Sequence, residues 1–70
     1  MVTSTPNEFG TALRERRRLL ALSQDDLASS IGVNRRVIGE LERGKGTVRL
    51  EIALAAATAL GLDLDLQPRT

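Results

Sequence analysis

The sequence contains no cysteine, no histidine and no tyrosine. These absences remove disulfides, thiolate metal sites, the commonest transition-metal ligand and the usual proton shuttle. A glycine-rich phosphate loop is also missing. Asp25 with Asp26, or Asp63 with Asp65, are explained better as helix-start and strand-surface charges than as a paired acid and base. An enzyme is therefore disfavoured, and no cofactor or metal is expected. Long apolar runs are missing too. The longest, around Ile52 to Leu62, is alanine-rich and shorter than the roughly 20 residues a membrane helix needs, and nothing at the N-terminus resembles a signal peptide. A soluble, cytoplasmic protein without membrane contact is expected.

What is present is short. Seventy residues and 7.6 kDa allow one domain, and a domain this small buries only about 60% of its unfolded surface. With disulfides and metals excluded, association with another chain is the remaining common source of extra stability. The net charge of +1 is unremarkable but its distribution is not. Between Arg14 and Arg49 nine basic residues stand against five acidic ones, whereas outside that window Arg69 alone faces Glu8, Glu51, Asp63 and Asp65. A basic middle with acidic ends suits a polyanion on one face and something else on another.

Four helices are expected from their capping residues. Thr5-Pro6-Asn7-Glu8 combines an N-cap threonine, proline at the first helical position and a glutamate placed to complete a capping box. The helix it opens runs from about 6 to 21, with Phe9, Leu13, Arg17 and Leu20 on one face. Ser23 caps a second helix, with Asp25 and Asp26 in its first turn, an inward face of Leu27, Ala28 and Ile31, and Gly32 as its stop. Asn34 then caps a third, Arg35 to Arg43, turned inward at Ile38 and Leu41 and ended by Gly44. Two short helices joined by so tight a turn make a helix-turn-helix. The loop from Lys45 to Arg49 leads to a fourth helix, about Leu50 to Leu60, with Leu50, Leu54, Ala57 and Leu60 able to face the core. Gly39 inside the third helix suggests either close approach to a ligand or a place where no side chain is useful.

Beyond Gly61 the pattern changes. Leu60, Leu62, Leu64 and Leu66 alternate with Gly61, Asp63 and Asp65, the period of a β-strand with one apolar and one wet face. Such a strand has no evident partner in its own chain. Pairing with the tail of a second copy across a twofold axis, through Leu62, Leu64 and Leu66, is the economical solution. The expected organisation is one domain over 1–70: a flexible arm at 1–4, a helix-turn-helix domain at 5–61 with its motif at 24–43, and a dimerisation strand at 62–70.

The stretch QDDLASSIGVNRRVIGELER, Gln24 to Arg43, resembles the helix-turn-helix of the XRE family, the Cro and phage-repressor type of DNA-binding protein. Leu27, Ala28, Ile31, Gly32, Val33, Ile38 and Leu41 occupy its apolar and turn positions. Arg17, Gln24, Glu42-Arg43-Gly44 and Leu60-Gly61 match its flanking landmarks. The resemblance implies an all-α, four-helix, lambda-repressor-like domain whose third helix lies in the DNA major groove with its N-terminal residues at the base edges. On that basis Arg35, Arg36 and Glu40 are candidates for base readout, arginine pairing with guanine and carboxylate with cytosine, and Val37 for a thymine methyl. Gln24, Asn34, Arg43, Lys45 and Arg49 are candidates for phosphate contact, with Arg14 and Arg18 as further contributors. The family also implies an internal ion pair between Arg17 and Glu42.

The family often carries a fifth helix where this chain has LDLDLQPR. Short members with such a tail resemble HipB-like antitoxins, which implies a homodimeric repressor that binds a palindromic operator of its own operon and restrains a HipA-like kinase toxin. A stand-alone dimeric regulator and a protein-interaction module of the same fold are the alternatives.

Overall fold

A computed structural model describes residues 3–69. Met1 and Val2 of the expected arm, and Thr70 of the tail, lie outside the described residues. Four helices follow in order: α1 (Pro6–Leu19), α2 (Gln24–Ile31), α3 (Arg35–Glu42) and α4 (Leu50–Ala59).

The start of α1 is fixed by its capping box. Thr5 Oγ1 accepts from the Glu8 amide at 3.1 Å, and Glu8 Oε1 accepts from the Thr5 amide at 3.1 Å. The same carboxylate oxygen takes the Ser4 amide at 2.9 Å, so Ser4, expected in the arm, is tied to the helix. At its other end α1 stops at Leu19, two residues earlier than its apolar spacing suggests. Ala21 takes a left-handed backbone, φ 58°, with its amide on the Arg18 carbonyl and the Leu22 amide on the Arg17 carbonyl, both at 3.0 Å. These reverse bonds are the Schellman closure, which leaves Leu20 outside the helix and 41% exposed instead of on the buried face.

The core is assembled from one or two residues of each helix. Leu13, Leu27, Ile38 and Leu60 are fully buried, with Ala28, Leu41, Ala56 and Ala57 around them. Each buried leucine or isoleucine contributes roughly 1.5 to 3 kcal/mol. α3 packs on both α1 and α2, and α2 also packs on α4. The crossing of α1 over α3 is close at Gly10, where an added Cβ would lie 2.7 Å from the Glu42 carbonyl oxygen.

α4 meets the expectation in part. Ala57 and Leu60 are buried as expected, together with Ala56, whereas Leu50 is 71% and Leu54 41% exposed. Small side chains let α2 approach, and the face carrying Leu50 and Leu54 looks outward with no helix of the described residues over it.

Leu62, expected on an intermolecular face, is half-buried against this chain's own core, its amide on the Ala57 carbonyl at 2.9 Å. From Asp63 to Arg69 the described residues form neither helix nor strand and make no backbone–backbone hydrogen bond. A strand exists only with a ladder partner, and this chain supplies none. Leu64 and Leu66 are 51% and 97% exposed.

Candidate nucleic-acid interface

The exposed end of α3 is built by Asn34. Its backbone is extended and its Oδ1 accepts from the Arg36 amide at 2.8 Å, so the side chain closes the helix start. Arg35 and Arg36, the first two helical residues, both stand in solvent. Among the described residues the Arg35 side chain has no hydrogen-bond or ion-pair partner. Arg36, with 83% of its side chain exposed, lies 3.8 Å from Glu40 one turn on. Burial of Ile38 and Leu41 on the opposite side sets this outward aim.

Glu40 is more engaged than a free base-reading carboxylate. Its Oε2 accepts from Lys45 Nζ at 3.0 Å, and 18% of the side chain is exposed. The Lys45 hydrogen bond holds its carboxyl below the ordinary range, so it stays ionised. Val37 is half-buried and offers a limited apolar edge. Gly39 is buried, and an added Cβ would sit 3.1 Å from Arg43 Nη1. The end of the Arg43 guanidinium lies over the glycine. Arg49 pairs with Glu51, both side chains largely exposed.

Gln24 departs most from its expected role. Its amide nitrogen donates to Glu42 Oε1 at 3.1 Å, turning inward from solvent. The start of α2 is occupied as well, because Ser23 and Asp26 form a capping box there. Asp25 and Asp26 add negative charge in that first turn.

Behind this surface lies the Arg17–Glu42 pair. Arg17 Nε donates to Glu42 Oε2 at 2.6 Å and Nη2 to Oε1 at 3.0 Å, a two-point contact, while Nη1 donates to the Leu22 carbonyl at 2.8 Å. Burial pushes the Glu42 carboxyl up, but the hydrogen bonds from Arg17 and Gln24 prevail and hold it below its ordinary value. Arg17 is held above its own by the same bond. One carboxylate therefore ties α1, α2 and α3 together and fixes the pose of the exposed arginines.

Two residues escaped the sequence reading of roles. Arg16 donates from Nε to the Leu60 carbonyl at 2.9 Å, joining α1 to the end of α4 where the tail departs. Nothing in its spacing distinguishes it from Arg14 and Arg18, which are exposed. Gly10 shares a helical face with Leu13 and Arg17, and that spacing was the available signal.

A helix-turn-helix family model matches residues 13–67, most of the chain. The chain belongs to the helix-turn-helix family, in its XRE type. No curated protein sequence matches it significantly. Solved structures do: the HipB-O4 20mer complex, with TM-score 0.90 and 20% identity, covering 100% of this chain and 99% of that one. The HipA-HipB-O2-O3 complex gives the same values. At that identity the likeness establishes the fold, four helices in the same arrangement.

Proposed function

We propose that this chain is a sequence-specific DNA-binding repressor that acts as a homodimer on a palindromic operator, and that it is the antitoxin of a HipBA-like operon. The observation that carries the reading is the outward presentation of Arg35 and Arg36 at the capped start of α3. In this family's docking geometry that helix end meets base edges, and each arginine–guanine pair contributes roughly 1 to 3 kcal/mol of discrimination. Arg43, Lys45 and Arg49 extend the positive surface toward phosphates, and Asn34 keeps its amide nitrogen available beside them. Gln24 is assigned a supporting role through Glu42.

Dimerisation is supported by residues 63–69 of the tail, whose backbone makes no hydrogen bond among the described residues, and by the exposed apolar surface of Leu50, Leu54 and Leu64. The antitoxin role is supported by the likeness to HipB, which occurs in complex with HipA. A stand-alone repressor lacks only that last feature. The role is binding and not catalysis. No helix among the described residues is long and apolar enough to cross a membrane, and a cytoplasmic site of action fits a DNA partner.

In vitro selection from random duplexes with the full chain tests the reading. Enrichment of an inverted repeat with GC-containing half-sites about one helical turn apart is expected; a final pool without any shared sequence would contradict it.

A further inference from the structure

The tail carries more information than its alternation. Leu62, Leu64, Leu66 and Pro68 fall on one side of an extended chain, and Asp63, Asp65, Gln67 and Arg69 on the other. The Gln67 amide donates to Asp65 Oδ2 at 2.6 Å, as neighbours two apart on one side do. Among the described residues, the backbone groups of Asp63 to Arg69 make no hydrogen bond. Resting on the homodimer reading above, we infer that two tails pair antiparallel about a twofold axis through Leu66, in the register that sets Asp63 opposite the partner's Arg69.

Two considerations favour this register over those centred on Leu64, Asp63 or Asp65. The first is charge. An axis through Leu64 would place Asp63 against the partner's Asp65 twice, and an axis through Asp65 or Asp63 would face a carboxylate with its own copy. Like charges directly opposite destabilise a ladder. With the axis at Leu66, Asp63 meets the partner's Arg69 and Asp65 meets the partner's Gln67, so no two carboxylates are opposed. Arg69 is the only basic residue outside the Arg14–Arg49 window, and this register gives it a partner.

The second is the proline. Pro68 has no amide hydrogen and must sit where the ladder needs none. If the two copies of Leu66 form a non-hydrogen-bonded pair, the alternation places Pro68 at a non-hydrogen-bonded position opposite the partner's Leu64, while Asp63, Asp65, Gln67 and Arg69 carry the backbone bonds.

Charge reversal tests the register. Asp63→Arg alone sets arginine against arginine, and Arg69→Asp alone sets aspartate against aspartate, so each is expected to raise the dimer Kd roughly tenfold. An equimolar mixture of the two single variants regains attractive pairs at both positions and forms heterodimers in preference to either homodimer, read by native mass spectrometry. The double variant D63R/R69D recovers homodimerisation. Tighter association of D63R than of the unaltered chain would overturn the inference in favour of the axis through Leu64, and an unchanged Kd would overturn it too. An unaltered chain that is monomeric at all concentrations would instead refute the homodimer on which the inference rests.

Discussion

At the scale of single residues, Glu42 is the side chain on which the largest effects turn. It accepts both Arg17 contacts and the Gln24 amide, with 3% of its side chain exposed. Replacing it with alanine leaves the Arg17 guanidinium buried without its counter-charge, which costs about 3 to 5 kcal/mol. The double replacement R17M/E42L removes both charges and is expected to recover most of that loss; urea titration of the three proteins measures it. Acid should act through the same group. Because its folded pKa is depressed, Glu42 contributes stability at neutral pH that is lost as pH falls below the ordinary glutamate value of 4.5. Glu8 and Asp26, depressed by hydrogen bonds from the Ser4 and Ser23 backbones, act in the same direction. E42Q is therefore expected to show a shallower loss of stability between neutral pH and pH 3 than the unaltered chain. The pairing partner of Arg17 was accessible from family resemblance; the capture of Gln24 was not, since an exposed helix start and an inward-turned amide look alike in one dimension.

At the scale of elements, helix starts were legible because side chains announce them. Thr5, Ser23 and Asn34 each close the helix that their position suggests. Helix ends were legible where glycine marks them and misread at α1, where Ala21 takes the left-handed conformation at a cost of about 1 to 2 kcal/mol. Of the expected inward face of α4, Ala57 and Leu60 are buried but Leu50 and Leu54 are not, because close packing against α2 selects the smaller residues. Gly10 makes the same point for α1 and α3. In an open helix, Gly10→Ala would stabilise by roughly 0.5 to 1 kcal/mol. Here the new methyl group meets the backbone carbonyl of Glu42, which has no flexible end to give way. The variant is expected to lose about 1 to 3 kcal/mol instead. Thermal melting gives the sign, and a stabilised G10A would show that α1 and α3 are not held this closely.

At the scale of the whole molecule, charge and apolar surface are sorted onto different regions. The α3 start and the loop after it gather Arg35, Arg36, Arg43, Lys45 and Arg49, while Leu50, Leu54, Leu64 and Leu66 face solvent elsewhere. The alternation of the tail was visible in the sequence; in the proposed dimer its partner is the tail of a second copy, which a single-chain fold does not display. Leu62 packs on its own core, so in that dimer the tail begins on one core and ends on the other. In the proposed dimer the arginine pairs are displayed twice, which is what a palindrome requires.

That display is open to a direct measurement. Fluorescence anisotropy of the full chain on its selected duplex and on a scrambled one, repeated for R35A/R36A and at two salt concentrations, isolates the contribution of the two arginines. The account predicts that the unaltered chain prefers the selected duplex, that binding to both weakens steeply with salt, and that the variant folds normally but binds the two duplexes alike. A variant that kept the full preference would contradict it.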